Sequence, residues 1–243
     1  MPIQCVILAG GRGTRMQPLT DAIPKALVPV AGKPFVHHQL TWLRSQRVRD
    51  VVFCTGYRGE QLRSFVGDGG AWNVAVRYVD EGDELRGTAG ALRLALDEEI
   101  LEASFSVLYG DSYLPVSLAP IWQAFRESDQ RALMVVYRNE NRWDASNVLF
   151  RDGRVVVYDK LHAGRRPELA WIDYGLAVLA RDLVAERIQP GAVADLADLY
   201  RDLSAESLLA GFEVEKRFYE AGSPEGLADL ERHLLSVPGH APT

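Results

Sequence analysis

Residues 8–15, LAGGRGTR, set three glycines, a threonine and an arginine directly behind an apolar run, and Lys25 follows after Pro24. Gly10, Gly11 and Gly13 permit positive φ and close backbone approach, so successive N–H groups can surround phosphate oxygens. Arg15 offers a fork for two such oxygens, and Lys25 offers a compact point charge. The chemistry served by this set is the holding of a polyphosphate. Its spacing is neither that of a P-loop nor G-x-G-x-x-G with a downstream acid, which argues against a dinucleotide-dependent oxidoreductase.

Other chemistry-bearing positions lie further along. Asp80, Glu81, Asp83 and Glu84 precede Gly87-Thr88-Ala89-Gly90, which opens a helix whose N-terminus suits an anion. Asp111 follows Gly110 at the end of an apolar run, Asp159 and Lys160 sit in VYDKLH, and Asp173 sits in WIDYGLAVL. His37 and His38 fall at the start of an amphipathic helix and have no evident task in phosphate chemistry, so structural or surface roles are expected. Cys5 and Cys54 lie inside apolar runs and read as small core residues rather than a disulfide or metal pair.

The elements that must position these residues follow from hydrophobic patterning. Strand-like runs recur at 5–9, 51–55, 74–79, 105–109 and 133–137, with helix-length periodic stretches at 34–46 and 88–101 between them. Strands alternating with helices imply βαβ units and a mostly parallel sheet, and such a sheet binds ligands beyond the carboxyl ends of its strands. From 147 the pattern changes. NVLFRDGRVVVYDK reads as a hairpin about Asp152-Gly153, residues 171–180 as a strand, and 194–210 and 224–235 as helices. The expectation is one α/β domain over 1–243, with a parallel α/β half to about 145 and a mixed-sheet part to about 220. A C-terminal helix and a frayed tail over 236–243 complete it.

Composition sets the outer bounds. The chain has 243 residues, 47% hydrophobic and 25% charged, enough for a packed core. A net charge of -6 argues against nucleic acid as a partner. No apolar run spans a bilayer and no signal-peptide pattern opens the chain, so a cytoplasmic protein without membrane association is expected. A homodimer is left open, its surface unplaced.

L-A-G-G-x-G-T-R-x-x-P-L-T followed by P-K-x-L-x-P-V-x-G-K-P resembles the signature of the sugar-1-phosphate nucleotidylyltransferases, departing mildly at Ala22-Ile23 and Ala26. The segments around Gly87, Asp111, Asp159, Asp173 and FYEAGSPEG are similar to that family's later elements, in the same order. Asp159 stands where the family has a glutamate, and Leu161 where it has a proline. The resemblance implies a Rossmann-like three-layer α/β fold with a mixed, mostly parallel sheet and no C-terminal β-helix. It also implies transfer of a nucleoside monophosphate from a nucleoside triphosphate to a sugar 1-phosphate, with Mg²⁺ as cofactor.

Carried over residue by residue, the resemblance assigns the nucleotide to Leu8, Ala9, Gly10, Gly11, Gly13, Thr14, Glu81, Gly87, Thr88 and Gly110. Catalysis falls to Arg15, Lys25 and Asp111, the sugar phosphate to Asn147, Asp159, Lys160 and Asp173, and the metal to Asp111 and Asp173. The acids around Glu81 match the N1–H and 2-amino group of guanine better than a pyrimidine carbonyl. The reading is therefore GTP with a heptose or mannose 1-phosphate. Uridylyl or other nucleotidyl transfer to a hexose or amino-sugar 1-phosphate is the first alternative, and a catalytically silent sugar-nucleotide-binding regulatory subunit the second. With positioning and charge as the source of rate, Arg15→Ala and Asp111→Asn are each expected to lower turnover about 10²-fold or more, measured by pyrophosphate release.

Overall fold

The computed structural model describes residues 3–82 and 84–236; Asp83 and the 237–243 part of the expected tail lie outside the described residues. In chain order the first elements are β1 (Gln4–Leu8), β2 (Pro29–Val30), β3 (Lys33–Pro34), α1 (Phe35–Ser45), β4 (Asp50–Thr55), α2 (Gly59–Val66) and β5 (Ala75–Asp80). Then come α3 (Gly87–Asp97), β6 (Ser104–Tyr109), β7 (Ser112–Tyr113), α4 (Leu118–Glu127), β8 (Ala132–Arg138), β9 (Val148–Arg151) and β10 (Arg154–Tyr158). The last are β11 (Trp171–Ala180), α5 (Arg181–Arg187), α6 (Leu196–Ala205), β12 (Ala210–Val214), β13 (Tyr219–Glu220) and α7 (Pro224–Ser236). The chain divides into two compact units, one of residues 1–85, 108–115 and 218 onward, the other of 86–107 and 116–217.

In the first unit β5, β4 and β1 lie side by side and all run parallel, with Gln4 opposite Asp50 and Leu8 opposite Cys54. Cys5, Val6, Ile7, Val51, Val52, Phe53 and Cys54 are fully buried, the continuous apolar run of a strand covered on both faces. Burial pushes the Cys5 thiol far above its usual range, in keeping with an inert core cysteine. Helix α1 contributes Phe35, Val36, Leu40 and Leu43 to this core, each buried side chain contributing about 1.5–3 kcal/mol. His38, on the same face, is buried and its Nε2 bonds the Val30 carbonyl at 2.9 Å, the structural role expected of it.

In the second unit the strand order is β11-β8-β12-β10-β9, with β8 and β12 parallel and the remaining neighbours antiparallel. The hairpin forms where Asp152-Gly153 directs it, both residues at positive φ (49° and 74°). The expected helix over 194–210 is shorter. Asp195 caps α6 by accepting the Ala197 amide, and the chain leaves the helix at Ser207 (φ 61°) to enter β12. Residues 210–214 are strand residues paired with β8, a short run that helical periodicity overextends. Among the described residues, no helix is long and apolar enough to cross a membrane.

The start of α3 is tightly determined. Gly87 has φ 73°, and a Cβ there would stand 2.5 Å from the Ala194 carbonyl oxygen. Gly87→Ala is therefore expected to destabilise the protein by about 1–3 kcal/mol, seen as a lower urea midpoint with an unchanged slope.

Candidate active site

The loop after β1 is pinned at its base and open at its tip. The Ala9 amide donates to the Cys54 carbonyl at 2.8 Å, and the Gly10 carbonyl accepts the Tyr57 amide at 3.1 Å. The Gly13 carbonyl accepts both the Met16 amide and the Thr20 hydroxyl, at 2.9 Å each, above a fully buried Met16. The amides of Gly11, Arg12 and Gly13 donate to no protein group among the described residues, and Gly11, Arg12, Thr14 and Arg15 are exposed. Unpaired amides on an exposed glycine loop are ready donors to an anion.

Two glycines let backbones meet here. A Cβ on Gly110 would lie 2.5 Å from the Leu8 carbonyl oxygen, to which the Gly110 amide donates at 3.0 Å. A Cβ on Gly10 would collide with the Glu81 carboxylate, so Glu81 lies against the glycine loop.

Lys25 Nζ donates to Asp111 Oδ2 at 2.6 Å, with side chains 16% and 25% exposed. Gly222 marks the centre of the cluster. The point where its Cβ would be lies 3.5 Å from Arg15 Nη2, 3.5 Å from Lys25 Nζ and 3.7 Å from Asp111 Oδ2. The three residues read from sequence as catalytic thus converge within the first unit. Asp111 is held on both sides: its carbonyl accepts the Ala221 amide at 2.8 Å, and buried Gln39 donates from Nε2 to the flanking Tyr109 and Ser112 carbonyls at 3.3 and 2.9 Å. Asp111 Oδ1 has no protein partner among the described residues.

Sequence reasoning left two of these residues unassigned. Gln39 carries no motif, and its role rests on the packing of α1. Glu220 did carry a signal, as the acid two residues before Gly222 in FYEAGSPEG. Strand register sets it opposite Ser112, one step along the chain from Asp111.

The remaining candidates lie in the second unit. The Thr88 hydroxyl donates to Asp195 Oδ1 at 2.7 Å and accepts the Leu196 amide, while the Ala89 and Gly90 amides both donate to the Ala194 carbonyl. At the α3 N-terminus two of the first amides therefore hold a protein carbonyl. Burial pushes the Asp195 carboxyl up. The Thr88 hydroxyl, the Ala197 amide and the Lys160 charge outweigh that and hold it below its usual value.

Asn147, Asp159 and Asp173 come together through backbone bonds. Asn147 Oδ1 accepts the Asp173 amide at 3.0 Å, and the Asn147 carbonyl accepts the Asp159 amide at 2.9 Å. Asp173 Oδ1 accepts the Gly175 amide at 2.9 Å. The Asp159 carboxylate meets Arg166 Nη1 and His162 Nδ1, both at 3.0 Å, and Lys160 is exposed. Buried Tyr158 and Tyr200 have hydroxyls raised far above their usual pKa by burial first and by the Asp173 charge second.

A Rossmann-like α/β fold with a glycine loop and a cation–carboxylate cluster at the end of its first strand defines a nucleotide-handling class. The sequence pattern described as Nucleotidyl transferase matches residues 4–144. The chain belongs to the nucleotidyl transferase family. It is 26% identical to mannose-1-phosphate guanylyltransferase of Mycobacterium tuberculosis over 97% of this chain and 67% of that protein. It is 29% identical to N-acetylmuramate alpha-1-phosphate uridylyltransferase of Neisseria meningitidis over 86% of this chain and 88% of that protein. Among solved structures it is similar to HddC from Yersinia pseudotuberculosis complexed with GMP-PN, with a TM-score of 0.75 and 23% identity over 95% of this chain and 99% of that one. That last likeness speaks to the fold.

Proposed function

We propose that the chain catalyses Mg²⁺-dependent transfer of a nucleoside monophosphate from GTP to a heptose- or mannose-type 1-phosphate. The observation that carries this reading is the convergence of Arg15, Lys25 and Asp111 around Gly222. An oxygen of the sugar 1-phosphate forms a bond to the α-phosphorus. The bond from that phosphorus to the bridging oxygen breaks, and pyrophosphate leaves with the electron pair. The attacking phosphate is already ionised, so no protein group needs to take a proton, and rate comes from positioning and charge.

Each residue has a task in that step. The amides of residues 10–14 and the Arg15 guanidinium hold the departing phosphates, and Lys25 faces the α-phosphate, where charge grows. Asn147, Asp159 and Asp173 serve the sugar side, with Lys160 on its phosphate. Asp111 fits a hard cation, being a partly exposed carboxylate with Oδ1 unpaired, and Mg²⁺ held there would neutralise phosphate charge. For the second carboxylate the sequence points to Asp173. Glu81, whose carboxylate lies beside Gly10, would accept from the guanine edge. A guanylyl-transferring relative at 26% identity supports the nucleotide choice.

The test is pyrophosphate release with Mg²⁺ across the common nucleoside triphosphates and a panel of hexose and heptose 1-phosphates. Release is expected to be fastest with GTP, and Asp173→Asn to raise the Mg²⁺ needed for half-maximal rate. GTP binding at least about tenfold (1.4 kcal/mol) weaker than UTP, CTP or ATP would overturn the nucleotide choice. Silence across the panel with tight binding of a nucleotide-sugar would replace the enzyme by a regulatory subunit.

A further inference from the structure

Arg12 and Arg58 lie outside the cluster around Gly222 and converge on one ring. The Arg12 guanidinium carbon is 5.8 Å from the Tyr57 ring centroid and that of Arg58 is 5.3 Å from it. Tyr57 is fixed to the glycine loop itself, its amide donating to the Gly10 carbonyl and its hydroxyl reaching the Thr20 and Asp21 carbonyls at 3.4 Å each. Arg58 is fixed in turn by bonds from Nε to the Tyr57 hydroxyl at 2.9 Å and from Nη2 to the Asp21 carbonyl at 2.6 Å. The Asp21 carboxylate is engaged by Gln17 Nε2 at 2.9 Å.

None of Arg12, Arg15 and Arg58 forms an ion pair among the described residues. The chain carries 33 acidic residues against 27 basic ones, so carboxylates are not scarce. Like charges gathered at one loop repel one another until an anion bridges them. The ring faces orient the guanidiniums at little entropic cost. The Arg12 fork can take two phosphate oxygens, and Arg58 adds Nη1, which bonds no protein group among the described residues.

We infer that Arg12 and Arg58, mounted on Tyr57, form a second anion grip on the outer side of the glycine loop, for the terminal phosphate of a bound triphosphate. Arg15 takes the phosphates nearer Lys25 and Asp111, and the outer pair takes the end of the chain that leaves as pyrophosphate. The inference rests on the proposed reaction for the identity of the anion, and its test does not depend on turnover or on the base. Inorganic tripolyphosphate binding is measured by calorimetry with wild type, Arg12→Gln, Arg12→Lys and Arg58→Gln. Arg12 makes no hydrogen bond among the described residues, so its substitution leaves the fold intact, as circular dichroism would verify.

Arg12→Gln and Arg58→Gln are each expected to weaken tripolyphosphate binding about tenfold, with Arg12→Lys recovering part of the loss. The KM for the nucleoside triphosphate should rise in Arg12→Gln while that for the sugar 1-phosphate stays put. Equal tripolyphosphate affinity in wild type and both glutamine variants overturns the inference, as does a wild type that does not bind tripolyphosphate at all. Arg12-dependent binding in a protein that releases no pyrophosphate with any substrate pair supports the grip and overturns the proposed reaction instead.

Discussion

The contact between Lys25 Nζ and Asp111 Oδ2 at 2.6 Å joins two residues 86 positions apart, and the first unit is arranged around it. Half-buried, each charge needs a partner, because removing one would leave the other desolvated and unpaired. In the proposed reaction they exchange partners: Asp111 turns to the cation and Lys25 to the α-phosphate. The backbone on both sides is held so that only the side chains need move. Gln39 and the Ala221 amide fix the turn at Asp111, and Pro24 leads into the 3-10 turn that bears Lys25.

The C-terminal helix belongs to the same arrangement. Glu231 on α7 accepts the Ala31 amide at 2.9 Å, in the turn between β2 and β3 that follows the lysine. His233 stacks on Tyr219 with centroids 4.1 Å apart, and Tyr219 is paired with Tyr113, two residues past Asp111. One helix therefore braces the segments behind both members of the ion pair.

Much of this was legible in the sequence. The apolar runs gave β1, β4, β5, β6 and β8 within a residue or two, and Asp152-Gly153 gave its hairpin, because both signals are local. The spacing of Gly10, Gly13, Arg15 and Lys25 picked out residues that the fold does bring together, with Arg15 and Lys25 both beside Gly222. What escaped has a common physical cause. Gln39, Asp195 and Tyr57 act through contacts 73, 107 and 47 positions away in sequence, made by side chains or amides with no motif of their own. The overextended helix at 194–210 failed for a related reason, since β12 exists only by pairing with β8.

The most direct test of the central claim is a charge swap, Lys25→Asp with Asp111→Lys, against each single variant, with thermal stability and pyrophosphate release measured on the same preparations. An ion pair is symmetric, whereas a cation ligand beside a phosphate anchor is not. The account predicts that the swap regains stability lost in the single variants and yet remains about 10²-fold or more below wild type in turnover. Recovery of turnover together with stability would contradict it, leaving the pair as scaffolding and the catalytic charges elsewhere.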